Sequence, residues 1–175
     1  MISIWLVATA ILAFNGEQPI HQSKGEEYAP KEGNFSIRFP GKPKETTQIT
    51  KSPIGEVKVF TATYATSDGN VYMVSYSDLP EGATKSENLT TLFEGVREGA
   101  KGKDGEVLVA DRFEFGPNKL PGFDLELKKE KGNQRVKYRI IVREKRLYQL
   151  AVVGSKDFAQ GKEAAAFLKS FELPK

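Results

Sequence analysis

The sequence predicts a single α+β domain in which an antiparallel β-sheet of about six to seven strands is flanked by two helices. Three observations favour this class. Short stretches of alternating β-branched and aromatic residues recur along the chain, hairpin-type turns join several of them, and two stretches carry apolar residues at helical spacing. The expected order of elements is β-β-β-α-β-β-β-β-α.

The N-terminal segment predicts export. Residues 1–13 are apolar and uncharged, and polar residues follow from Asn15. Such a run is shorter than the roughly 20 residues that cross a bilayer, which favours a signal peptide. A buried first strand is the alternative, because length alone does not separate the two. We expect residues 14–33 to form a flexible leader and residues 34–175 to form the domain, which is exported to the periplasm or the extracellular space.

Composition excludes several classes of function. The chain has 175 residues and no cysteine, which excludes disulfides, thiolate metal sites and a cysteine nucleophile. Its 26 basic and 23 acidic residues nearly balance, unlike those of a typical nucleic-acid-binding protein. The single histidine, His21, lies in the expected leader, and common hydrolase and phosphate-loop motifs do not occur. We therefore expect no enzymatic activity, no cofactor, no metal, no nucleic-acid partner and no membrane span in the mature chain.

The first predicted strand is short, and the second and third form a hairpin. Apolar and polar residues alternate over residues 35–39, which predicts a short strand ended by Pro40. Residues 57–64 and 71–76 are rich in β-branched and aromatic side chains, and Ser67-Asp68-Gly69 between them suits a hairpin turn. That turn sets a register with three cross-strand pairs on one face. The pairs are Phe60 with Tyr76, Ala62 with Val74, and Tyr64 with Tyr72.

Apolar residues at helical spacing predict two helices. The first follows the break at residues 80–82, is capped by Ser86 or Asn88, and is ended by Gly102 and Gly105. The second begins after Asp157. The expected core faces comprise Leu89, Leu92, Phe93, Val96 and Ala100 in the first helix, and Ala164, Phe167, Leu168 and Phe171 in the second.

Four more strands are predicted between the two helices. They begin near residues 107, 123, 134 and 147, and the last is apolar on both faces, which favours a central position. Gly132-Asn133 predicts a two-residue hairpin between the second and the third. The register built on it pairs Leu127 with Tyr138, Leu125 with Ile140, Phe123 with Val142, Glu130 with Arg135, and Glu126 with Arg139.

Two stretches resemble the PsbP-like fold group. They are Phe35-Ser-Ile-Arg-Phe-Pro40, and the strand from Arg146 to Gly154 followed by a helix that ends in Phe167-Leu-Lys-Ser-Phe-Glu-Leu173. The group includes the photosystem II extrinsic subunit, the Ran-binding Mog proteins and bacterial DcrB-type envelope proteins. The resemblance implies an antiparallel sheet flanked by helices and a mainly non-enzymatic role in binding or assembly. It carries over no site residues, because the members bind different partners through different surfaces.

Four cations form the candidate binding site. The expected hairpin places them on one sheet face with Lys128 opposite Lys137, where like charges repel unless an anion lies between them. We expect this face to bind an envelope protein or an anionic surface. A solvated face balanced by Glu126 and Glu130 is the alternative. The four cations, called the basic face below, are Lys128, Arg135, Lys137 and Arg139.

Two other functions are left open. A carrier of small molecules or lipids would use a pocket behind an aromatic face, although a packed core face accounts for the same residues. A hydrolase would need an acid–base pair such as Asp124 and Glu126, but the expected Arg139 opposite Glu126 disfavours it. The aromatic face comprises Phe60, Tyr64, Tyr72 and Tyr76.

Overall fold

Seven antiparallel strands form the main sheet, and a two-stranded ribbon packs against one of its faces. The computed structural model describes residues 25–52, 55–129 and 134–174. The ribbon consists of β1 (Glu26–Tyr28) and β2 (Ile37–Phe39). The strands of the sheet are β3 (Lys44–Ser52), β4 (Gly55–Ala65), β5 (Val71–Asp78), β6 (Gly105–Phe115), β7 (Leu120–Lys129), β8 (Gln134–Arg143) and β9 (Arg146–Gly154). The helices are α1 (Leu89–Lys101), α2 (Lys156–Ala159) and α3 (Lys162–Lys169).

The sheet has the strand order β3-β4-β5-β9-β8-β7-β6. The expected central position of β9 is confirmed, because β9 lies between β5 and β8 and is buried from Leu147 to Gly154. The predicted α+β class with an antiparallel sheet is confirmed as well. Within the described residues, no helix is long and apolar enough to cross a membrane.

Each face of the sheet has its own hydrophobic core. One core lies under α1, where the apolar residues Leu92, Phe93, Val96 and Ala100 are buried as expected. The other core lies under β2, α2 and α3 and contains most of the aromatic rings. Asn88 occupies the predicted cap position of α1, but its side-chain amide donates to the Gly82 carbonyl at 2.8 Å instead of accepting from the helix.

The β4–β5 hairpin has the predicted register. Phe60 pairs with Tyr76, Ala62 with Val74, and Tyr64 with Tyr72. Gly69 has a φ of +77°, a conformation that glycine adopts without steric cost and that this turn requires.

Two strands lie where no strand was expected. β1 falls inside the expected leader, residues 14–33, and its Tyr28 ring contacts Phe35 and Phe39. β3 lies at the edge of the sheet and is exposed over most of its length, so it needs no apolar alternation. Residues 1–24, which include the expected signal peptide 1–13 and His21, lie outside the described residues.

The predicted single C-terminal helix is wrong, because the chain forms α2 and α3 instead. Gly161 interrupts the helical run and is the N-cap of α3, with an extended backbone that an uninterrupted helix would not allow. Of the four residues expected on the core face, Ala164, Phe167 and Phe171 are buried and Leu168 is partly buried.

The predicted register of the β7–β8 hairpin is also wrong, by two residues. The observed pairs on the apolar face are Phe123 with Ile140, Leu125 with Tyr138, and Leu127 with Val136. Pairing extends to Lys129 and Gln134, so four residues separate the strands instead of the two predicted at Gly132-Asn133. Because side chains alternate with a period of two, this shift keeps every side chain on its predicted face but changes every partner. Glu130, predicted to pair with Arg135, lies outside the described residues.

Candidate functional site

The basic face lies on the same side of the sheet as α2 and α3. Lys137 and Arg139 are cross-strand partners of Val152 and Leu150, which belong to the aromatic core on that side. The predicted opposition of Lys128 and Lys137 is wrong, because Lys128 pairs with Arg135 and Lys137 pairs with Glu126. The predicted Glu126–Arg139 pair is wrong for the same reason, since Arg139 pairs with Asp124.

Arg139 is fixed by a bidentate ion pair. Its Nε donates to Oδ1 of Asp124 at 2.9 Å, and its Nη2 donates to Oδ2 at 2.8 Å. These hydrogen bonds raise the pKa of the Arg139 guanidinium further, against the opposing effect of its burial. Arg139 is therefore committed to Asp124 and has little freedom to meet a ligand.

A ring beneath Arg139 holds the guanidinium in place. The guanidinium lies over the Phe113 ring, 4.9 Å from its centroid. Phe113 is in turn the cross-strand partner of Gly122, and a Cβ at residue 122 would lie 2.4 Å from the ring. Gly122 therefore lets the ring lie directly on the backbone of β7, and the ring supports Arg139.

Lys137 and Glu126 form a looser pair. Nζ of Lys137 lies 3.6 Å from Oε2 of Glu126, which is too long for a strong charged hydrogen bond. The Glu126 side chain is only 12% exposed, yet no other described residue hydrogen-bonds to it. The pair is therefore partly desolvated and incompletely satisfied.

Lys128 and Arg135 face each other across β7 and β8 with no acidic partner among the described residues. Glu106 is the cross-strand neighbour of Lys128 on its other side, but no ion pair joins them. Nη1 of Arg135 is buried and has no hydrogen-bond acceptor among the described residues. These two cations are the least compensated part of the basic face.

Carboxylates of β6 and β7 balance much of the charge on this face. Glu106, Asp111, Asp124 and Glu126 lie on it in register with the four cations. The acidic groups are concentrated on β6 and β7, whereas three of the four cations lie on β8. The face therefore presents an acidic stripe beside a basic stripe.

A cleft of about 260 Å³ opens between this face and the C-terminal helices. Its sheet side is formed by the two ion pairs described above, and Val109 of β6 lies at its rim. Its helical side includes Gly161, Ala165, Leu168 and Lys169. The contribution of α3 to this site was not predicted from the sequence. The glycine within the predicted C-terminal helix was the one signal that the helix would break there and leave space above the sheet.

The aromatic face is a packed core. Tyr72 and Tyr76 are 1% and 7% exposed. The Tyr72 ring contacts Phe158 and Phe167 edge-on, and the Tyr76 ring stacks on Phe60 at 4.8 Å. The rings of α2 and α3 therefore fill the space in which a carrier pocket behind this face would lie.

The three-dimensional fold is similar to that of solved proteins, whereas the sequence matches no protein-family model and no curated protein. The cyanobacterial PsbP of Synechocystis sp. PCC 6803 has 14% sequence identity and a TM-score of 0.61, with 93% of this chain and 99% of that chain covered. A Pseudomonas aeruginosa protein of unknown function has 11% identity and a TM-score of 0.38, with 82% and 91% covered. The similarity to cyanobacterial PsbP confirms the PsbP-like fold that the sequence resemblance implied.

Proposed function

We propose that this chain is an exported, non-enzymatic binding or assembly protein, and that it recognises an acidic envelope protein or an anionic surface through its basic face. The observation that supports this most directly is the opposition of Lys128 and Arg135 without an acidic partner among the described residues. Like charges directly opposite each other in a sheet are unfavourable, and a bound anion would remove that cost.

Lys128 and Arg135 carry most of this proposed contact. Arg139 and Lys137 already face Asp124 and Glu126, so they contribute less net charge to a partner. The buried Nη1 of Arg135 has no acceptor in the part of the chain that the structure describes, and a partner carboxylate or phosphate would supply one.

The test removes these two charges together. The double variant Lys128→Gln/Arg135→Gln should lose partner recovery in crosslinking from the envelope fraction of the host, and should lose binding to vesicles that contain phosphatidylglycerol. The control Lys42→Gln/Lys103→Gln has the same net charge but alters exposed lysines elsewhere. Partner and vesicle binding equal to wild type in the first double variant would rule out the basic face, and equal losses in both would indicate a net-charge effect.

Export has its own test. Mass spectrometry of the protein recovered from the envelope fraction should give a chain that begins at about Phe14. An uncleaved chain would contradict the proposed signal peptide.

Binding of a small molecule is the second candidate, and the cleft beside α3 is the observation that favours it. A hydrolase is not favoured, because Asp124 is held by two hydrogen bonds from Arg139 and Glu126 faces Lys137. Neither carboxylate is left in the arrangement of a catalytic acid–base pair.

A further inference from the structure

We propose that the cleft between β7–β8 and α3 binds a small zwitterion of the size of an amino acid or a dipeptide. Glu126 would bind its ammonium group, and Lys137 and Lys169 would bind its carboxylate. This inference develops the small-molecule candidate and does not depend on partner binding by Lys128 and Arg135.

The two ion pairs on the sheet side of the cleft differ in their capacity to bind. The Arg139–Asp124 pair is closed, because two hydrogen bonds of 2.8–2.9 Å use the facing atoms of both groups. The Lys137–Glu126 pair is open, because 3.6 Å separates its charged atoms and neither group has another partner among the described residues. A ligand can therefore bind to the open pair without breaking the closed one.

The helical side of the cleft adds a third cation. Lys169 lies at the end of α3, is exposed, and has no acidic partner in the described part of the chain. The lining thus holds one open carboxylate, from Glu126, and two cations that remain available, from Lys137 and Lys169. The three residues come from both walls of the cleft, so the space between sheet and helix is bordered by charge of both signs.

Apolar groups complete the lining. Leu168 and Ala165 on α3, together with Val109 at the rim, offer surface for the uncharged part of a ligand. Val109 is 37% exposed, although it is a large apolar residue in a strand. The pairing of β6 with β7 shifts register between Val107 and Val109, as it does where a strand carries an extra residue.

A zwitterion fits this charge pattern better than a simple ion. A plain anion at the two lysines would be repelled by the nearby Glu126 carboxylate, and a plain cation at Glu126 would be repelled by Lys137. In an α-amino acid the two charges are adjacent, so the ligand dipole can lie antiparallel to the Glu126–Lys137 pair. Each charge would then gain an opposite neighbour in a partly desolvated site, where such hydrogen bonds are strongest.

Direct binding measurements on the purified folded protein test this proposal. The probes are the twenty standard L-amino acids, glycyl-leucine and leucyl-glycine, screened by saturation-transfer NMR, with titration calorimetry of the strongest binder. Its N-acetyl derivative lacks the ammonium charge, and its decarboxylated amine lacks the carboxylate. We expect at least one probe to bind and both of its derivatives to bind about tenfold more weakly or worse. Absence of binding by every probe, or equal binding of either derivative, would overturn the proposal.

Variants then assign the residues. Glu126→Gln and Lys169→Gln should each weaken the best probe about tenfold, whereas Glu106→Gln, a carboxylate of the same face outside the cleft, should leave it unchanged. Lys169 is exposed, so its variant remains informative even if Glu126→Gln lowers stability. Retained affinity in Lys169→Gln and in a folded Glu126→Gln would overturn the assignment. The Lys128→Gln/Arg135→Gln variant should bind the best probe with the affinity of wild type, which would distinguish this site from the partner-binding site.

Discussion

At the residue scale, the basic face depends on a glycine that carries no charge. Gly122 makes room for the Phe113 ring, and the ring carries the Arg139 guanidinium that binds Asp124. Asp124 and Arg139 were predicted on the correct face, because the predicted and observed registers differ by two residues and a shift of two keeps every side chain on its face. Their partners were predicted wrongly because two turn residues were expected, whereas four separate the paired strands.

Gly122→Ala should destabilise the protein by about 1–3 kcal/mol, the usual range for overpacking. The added Cβ would lie 2.4 Å from the Phe113 ring, so the ring must move and Arg139 must move with it. Urea denaturation measures the loss. Adding Phe113→Leu to the variant should recover part of the stability, and a Gly122→Ala midpoint equal to that of wild type would refute this account.

The ion pair between Arg146 and Asp78 should make a small contribution to stability that is lost in acid. Two hydrogen bonds from Arg146 lower the pKa of the Asp78 carboxyl below its usual value of 3.8. The pair therefore stabilises the fold at pH values above 3.8, and the stabilisation is lost as the pH falls through the lowered pKa. Because both side chains are partly exposed, we expect less than about 1 kcal/mol.

The measurement compares wild type with Asp78→Asn by urea denaturation over a range of pH. The difference between them should be constant near neutral pH and should shrink in acid. A difference that grows in acid would have the wrong sign and would exclude this pair as its source.

At the element scale, a lysine of β7 joins the C-terminal end of α1 to the sheet. Nζ of Lys129 donates to the carbonyls of Ala100 and Lys101 at 2.7 Å, and these groups would otherwise lack helical partners. The helix α1 is predictable from the sequence because its apolar stripe is continuous. The contact of Lys129 with Ala100 and Lys101 is not, because residues so far apart in sequence leave no local pattern. β3 was not predicted from the sequence, because an exposed edge strand needs no apolar stripe and β3 has none.

Lys129→Met should lower the free energy of unfolding by about 1.5–3 kcal/mol, the range for hydrogen bonds made by charged groups. The methionine keeps most of the apolar stem but cannot donate to the two carbonyls. Lys128→Met, one residue earlier and on the other face, should cost less, because Lys128 lies opposite Arg135. Chemical denaturation compares the free energies of unfolding of the two variants. Equal losses of stability would argue against a stabilising role for the hydrogen bonds from Lys129 to the end of α1.

At the scale of the whole molecule, tyrosines in both cores make the stability of the fold depend on pH in the alkaline range. Burial raises the pKa of Tyr72, in the aromatic core, and of Tyr138, which packs against the core under α1, to about 12 each from 10.0. Burial also raises the pKa of Tyr28 in the ribbon. Folding therefore favours the neutral phenols. Their contribution is complete below pH 10 and is lost as the pH rises towards 12.

Stability should accordingly fall steeply between about pH 10 and pH 12. Urea denaturation at increasing pH measures it, and Tyr138→Phe should make the decline shallower because one buried phenol is removed. A decline of the same steepness in that variant would show that Tyr138 does not contribute. Tyr72 and Tyr138 were predicted in strands from the sequence, whereas Tyr28 was predicted in the flexible leader. How deeply each ring is buried depends on elements packed from elsewhere in the chain.

The central position of β9 also has a consequence for the order in which the chain folds. β3, β4 and β5 are joined by short connections, and so are β6, β7 and β8, but the two groups meet only through β9. β9 is the last strand to be synthesised, and its pairing with β5 closes a loop that contains α1, β6, β7 and β8. Until β9 has been synthesised, β5 and β8 each lack the neighbouring strand that they have in the folded sheet. The two groups of strands therefore join into one sheet only once β9 is available, and until then their open edges are accessible to other strands or to a chaperone.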